Sequence, residues 1–216
     1  MEMLTLRRPY PTVERGEETA WGGCQGWLRE AGLQKCGCGL VAAADLLLYL
    51  HRCGGERTTR FFWEHLWGTV RTVLLALAAF LVLSEASWRL LGRFLEAENR
   101  NDLAIAGKLA ESPWSMAVIV VVLAPFVEEA LFRGYIFGNL REVSRAGAYA
   151  VSALAFALIH VWQFAAASRD PAYLLLAVQY AVPGLVMAWT YERSGTLWGS
   201  ILLHSLINGI SAARML

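Results

Sequence analysis

Residues 120–133 read VVVLAPFVEEALFR, from Val120 to Arg133. An apolar run passes directly into Glu128 and Glu129, and Arg133 follows about one helical turn later, on the same face. In a water-soluble helix this string is a surface salt bridge. In hydrocarbon, a charged side chain costs roughly 2.5–3.5 kcal/mol even on mild insertion scales, so the acids need a cation beside them and an inward face. Which environment applies is decided by the rest of the chain.

The chain has 216 residues, a length that suits one domain. Its hydrophobic fraction is 56%, its charged fraction 17% and its mean hydropathy +0.42. Soluble domains lie near 45–50% apolar and about 25% charged, so the shift is toward a membrane protein. The net charge of +1 excludes an electrostatic nucleic-acid binder. Residues 1–20 carry both signs of charge and no apolar run, unlike a signal peptide.

Apolar runs predict about five spanning helices: Trp67 to Ser84, Pro113 to about Leu140, Gly147 to Ala167, Ala172 to Tyr191, and Thr196 to about Ala213. The expected fold is an all-α polytopic transmembrane bundle with a small N-terminal extension. Residues 1–65 form that extension, 66–112 the first spanning helix and a polar connector, and 113–216 the functional core. Glu85 to Glu111, with mixed charges, suits an amphipathic surface helix. Pro113 is placed to open a helix, and Pro125 to kink one just before the acids. Pro183-Gly184 interrupts the fourth span.

Basic residues favour a cytoplasmic N-terminus, with Arg141, Arg145 and Arg193 on the inner side. Glu128 then lies about 22 Å down its helix and His204 roughly 12 Å up its own, near one layer, with His160 somewhat deeper.

Three helices thus carry polar groups into hydrocarbon: Glu128, Glu129 and Arg133; Phe156 and His160; His204 and Asn208. The last two pairs are spaced by four, so each lines one helix face. Lipid offers these groups no partner, so they face a common interior. An acid, two imidazoles, an amide and a guanidinium are an inventory for hydrolysis: a carboxylate takes a proton from water, and N–H groups stabilise an oxyanion. Two histidines and a glutamate are also a plausible zinc set, although no H-E-x-x-H is present.

In this order the motifs Glu128-Glu129-x-x-x-Arg133, Phe156-x-x-x-His160 and His204-x-x-x-Asn208 resemble the CPBP family, the CAAX-type prenyl endopeptidases and bacteriocin-processing relatives also called the Abi domain. The resemblance covers residues 113–213. It implies an intramembrane endopeptidase acting on a prenylated or leader-type peptide or a membrane-anchored protein. By resemblance Glu128 is the general base and His160 assists it. His204 and Asn208 stabilise the oxyanion, and Glu129 with Arg133 supports the site. The family carries a metalloprotease label and a metal-free glutamate mechanism. The metal-free form is the expectation here; the zinc alternative would use Glu128, His160 and His204. Other readings are a non-catalytic self-immunity or scaffold protein and a proton-relay carrier. The absence of inverted repeats counts against the carrier.

The front of the chain holds Cys24, Cys36, Cys38 and Cys53 in no common zinc spacing. Its segment KCGCGLVAAADLLLYL, residues 35–50, resembles the nucleophile-bearing start of papain-like leader peptidases, in which a Cys sits at a helix N-terminus. The body of such a domain has no room before the first span, so a packing helix is expected there. Sequence leaves the substrate and the oligomeric state open.

Overall fold

The computed structural model describes residues 12–15, 18–21, 63–91, 93, 99–168 and 171–216. The chain divides into two compact units, Met1–Trp63 and Glu64–Leu216. In the first, Thr12–Arg15 (β1) and Glu18–Trp21 (β2) pair antiparallel, with Arg15 opposite Glu18. This hairpin was not anticipated within an all-α chain. The four cysteines and the 35–50 segment lie outside the described residues.

The second unit is helical throughout its described residues. Its elements are α1 (Leu66–Leu91), α2 (Arg100–Glu111), α3 (Pro113–Leu140), α4 (Arg145–Ser168), α5 (Ala177–Ser194, entered through a 3-10 turn at Pro171–Leu176) and α6 (Leu197–Met215). Helix α1 runs two turns past the expected end, through an exposed Arg89–Glu85 pair at 2.6 Å. The connector helix therefore begins only at Arg100. Asn99 caps it, its side chain accepting from the backbone N–H groups of Asn101 and Asp102.

Among the described residues, four helices are long and apolar enough to cross a membrane: α1, α3, α4 and the segment Tyr173–Ser194. The fifth expected span, α6, forms over 19 residues, or about 28 Å of rise. Its apolarity is diluted by Ser200, His204, Ser205, Asn208 and Ser211. Ser200 and His204 are buried inside the bundle. Large apolar side chains such as Leu74, Val82, Val122 and Leu154 point outward, as a lipid-facing belt requires.

The core comprises Val73 and Ala76 of α1, Phe132 of α3, Phe156 of α4, Val186 and Met187 of α5, and Leu203 and Ile207 of α6. Helix α5 lies against both α4 and α1. Its contact with α4 is close at Gly184, where a Cβ would come within 3.1 Å of the Ala153 Cα. At the opposite end Arg145, at the start of α4, bonds Glu192 near the end of α5 at 2.7 Å, which fixes the two helices antiparallel.

Helix α3 is not a plain α-helix. π-helical turns at Ile119–Leu123 and Ala130–Phe137 flank a short α-helical piece, Ala124–Glu129, with Pro125 in its first turn. Pro125 lacks the N–H that would close the ladder, and the helix resolves this by widening rather than by a simple kink. Ala124 donates five residues back, to the Ile119 carbonyl. In that frame the Val120 carbonyl is due an N–H from position 125, where proline has none.

Candidate active site

The widened helix sets the acids. Glu129 and Arg133 are both fully buried, and Arg133 Nη1 donates to Glu129 Oε1 at 2.8 Å. Arg133 Nη2 donates to the Gly184 carbonyl at 2.8 Å, and its guanidinium lies 4.7 Å from the Phe156 ring centroid. Burying such charges costs several kcal/mol per ion, which only good pairing offsets. The fork geometry of arginine reaches the carboxylate and the α5 backbone at once. His204 completes the cluster, with Nδ1 2.9 Å from the same Glu129 oxygen.

Glu128 faces the other way. Its Oε2 is buried and has no hydrogen-bond partner within the protein. It stands 3.9 Å from His160 Nε2 and 4.0 Å from His204 Nε2. His160 Nδ1 lies 2.8 Å from the Phe156 carbonyl, so Nδ1 carries the donated proton. Nε2 is then the nitrogen that faces Glu128. The three groups form one layer, so His160 is not deeper than the others, as a helix that starts in the interface at Arg145 allows.

Asn208 Nδ2 donates to the Val120 carbonyl at 2.9 Å. This is the carbonyl that Pro125 leaves without a backbone donor, so the amide ties α6 to the widened part of α3.

All six expected site residues therefore converge. Glu128, His160, His204 and Asn208 line a cavity of about 580 Å3, which also reaches Trp88 of α1, Asp102 of α2, Tyr180 of α5 and Arg214 of α6. Phe156 was already paired with His160 in the second motif, whereas Tyr180 and its partners at the start of α2 were not expected. Phe156 touches Arg133, His160 and His204 together. Tyr180 stacks on His160 with ring centroids 4.6 Å apart and planes 18° apart, and it is held by Asn99, Asn101 and Asp102. The only sequence signals for these were a tyrosine within an apolar span and an Asn-rich run in the polar connector.

The zinc alternative can be tested on geometry. Tetrahedral zinc with ligands at about 2.0–2.2 Å holds them about 3.4 Å apart. The Glu128 to histidine separations of 3.9 and 4.0 Å are wider than this. Among the described residues no group of three or more His, Cys, Asp or Glu side chains is arranged to hold a metal ion. As placed, these side chains are spaced more widely than a tetrahedral zinc site holds its ligands.

Residues 110–210 match the model of the type II CAAX prenyl endopeptidase Rce1-like family. The chain is similar to that family over this stretch, a little under half of its length. It is 31% identical over 103 residues to the UPF0177 protein YxdF of Lactococcus lactis, covering 45% of this chain and 50% of that protein. It is 30% identical over 114 residues to the "Putative membrane peptidase YdiL" of Bacillus subtilis, covering 51% of this chain and 41% of that one. The chain thus spans half or less of the length of these relatives. No solved structure matches it. The Rce1-like match contains all three motifs, and with the four apolar helices it makes the protein an integral membrane protein.

Proposed function

We propose that the protein is an intramembrane endopeptidase in which Glu128 activates water against a peptide bond of a membrane-associated prenylated or leader-type substrate. The observation that carries this reading is the Glu128 carboxylate. It is half-buried in the wall of a cavity, and its Oε2, buried and unbonded within the protein, faces two imidazoles. Glu129 also has an unbonded oxygen, Oε2, but its Oε1 is paired with Arg133 and His204 and it lies outside the cavity lining, whereas Glu128 has no such pair and faces the cavity, where a reactant can reach it.

The reaction balances as follows. Water donates hydrogen bonds to Glu128 and to His160 Nε2, whose separation suits two acceptors sharing one donor. Glu128 takes a proton as the water oxygen attacks the carbonyl carbon. The oxyanion accepts N–H from His204 Nε2 and from the second amide hydrogen of Asn208. His204 meets Glu129 through Nδ1, so its Nε2 serves as that donor when the ring carries a proton on both nitrogens. Collapse breaks the C–N bond, Glu128 returns its proton to the leaving amine, and a carboxylic acid and an amine form, which depart as carboxylate and ammonium once the acid passes its proton to the amine. No step passes through a metal. The N-terminus is assigned to the cytoplasmic side.

The test is cleavage of a panel of prenylated and leader-type peptides by the purified protein in detergent. At least one is expected to be cut, with cutting undiminished after exhaustive chelation. Failure with every class of peptide would count against proteolysis.

A further inference from the structure

We propose that Tyr180 is a positioning residue for His160, held by the start of α2, so that the connector helix is part of the catalytic site rather than a surface link. The inference rests on the proteolytic reading for its effect on rate, but its geometry stands apart from it.

A histidine bonded only through Nδ1 retains a rocking motion about that bond, which swings Nε2. Here Nδ1 is tied to the Phe156 carbonyl, and two ring faces limit the rest. Tyr180 lies nearly parallel to the imidazole, and Phe156 lies at 4.7 Å and 41°. Together they hold Nε2 toward Glu128. A tyrosine ring can serve as a fixed wall only if its own far end is fixed. The Tyr180 hydroxyl accepts from Asn99 Nδ2 at 2.9 Å and Asn101 Nδ2 at 3.2 Å. For its single proton it has Asn99 Oδ1 at 3.1 Å and Asp102 Oδ1 at 3.4 Å. This uses the full hydrogen-bonding capacity of a phenol. Asn99 is also the N-cap of α2, so the residue that starts this helix is the one that fixes the tyrosine. Helix α2 makes no candidate span, and its partly buried polar residues Asn99, Asn101 and Asp102 face the cavity. A merely connecting helix has no need of that face.

The experiment compares Tyr180→Leu and Tyr180→Phe in the full chain. It reads kinetics on a cleaved peptide and the ring 15N signals of the histidines, with His160 identified by its loss in His160→Gln. Tyr180→Leu should lower kcat by roughly tenfold or more with KM little changed, because a displaced reacting group costs rate rather than binding. The His160 ring signals should broaden or depart from the Nδ1–H pattern. Tyr180→Phe keeps the ring but loses its tether to the start of α2, and its rate should fall between those of wild type and Tyr180→Leu. Tyr180→Met, apolar and without a ring face, answers the same question if the leucine variant does not fold. Unchanged His160 signals in the leucine or methionine variant would overturn the proposal, as would Tyr180→Phe at the full wild-type rate, which would show that the start of α2 does not hold the ring. If no peptide is cleaved by the wild type, proteolysis fails, and the ring signals alone decide the role of Tyr180.

Discussion

Glu128 and Glu129 are neighbours in sequence, yet their carboxylates are in opposite situations. Glu129 Oε1 lies 2.8 Å from Arg133 and 2.9 Å from His204, in a fully buried cluster. Glu128 Oε2 lies 3.9 and 4.0 Å from two imidazoles, at the cavity wall. One acid is structural and the other free to react, so the same substitution at each should fail differently. Glu129→Gln leaves Arg133 buried without its anion and should destabilise the fold by about 3–5 kcal/mol. Glu128→Gln removes no protein contact and should leave the melting temperature close to that of wild type. Thermal unfolding of the two variants in one detergent decides this; equal losses would contradict the division of roles.

Arg133→Lys keeps the charge but not the fork. One ammonium cannot serve both Glu129 Oε1 and the Gly184 carbonyl while lying over Phe156. The expected loss is about 1.5–3 kcal/mol, as for a hydrogen bond to a charged group. A melting temperature matching wild type would show that one of the two bonds contributes little.

Asn208→Ala should cost about 1–3 kcal/mol, because it leaves the Val120 carbonyl buried without a donor. The cause is Pro125, so the two positions should couple. In a Pro125→Ala background, residue 125 regains an N–H for that carbonyl, and the cost of Asn208→Ala should shrink. A double-mutant cycle by chemical or thermal unfolding reads the coupling directly. Strict additivity would mean that the widened turn does not depend on the proline.

Asp102 lies outside the spanning helices, and burial raises its carboxyl above the ordinary value, against lowering by the Tyr180 hydroxyl and the His160 charge. An acid raised in the folded state favours folding while protonated, and that contribution is lost as pH rises through the folded value. Asp102→Asn should therefore be more stable than wild type at neutral pH, by a few degrees at most, with the difference narrowing toward pH 4 and below. Melting curves across that range test the sign; a gap that widens with acid would reverse it.

The bundle and its six polar residues were legible because hydrocarbon makes each of them expensive. An acid or histidine in an apolar run is conspicuous at its own position, and spacing by four places each pair on one face. Tyr180 and Asp102 could not be found that way. A tyrosine near a helix end and an aspartate in a polar connector cost nothing where they stand, and their meeting joins residues 78 apart in the chain. The carbonyls of Gly184 and Val120 are invisible in principle, since every residue has one. Helix α6 shows the opposite effect. Its buried small and polar residues make it useful to the site and, by the same token, less apolar than a typical span. The extra turns of α1 were missed because Glu85 and Arg89 read as the start of a polar segment, although as an i, i+4 pair they extend the helix.

The central claim is that Glu128 and His160 act together on water inside the membrane. The most direct measurement is cleavage of a responsive peptide by wild type, Glu128→Gln and His160→Ala reconstituted in liposomes, with folding checked by thermal unfolding. The account predicts that Glu128→Gln falls by about 10²-fold or more, that His160→Ala is also strongly reduced, and that both remain folded. Wild-type rates from folded Glu128→Gln protein would contradict it.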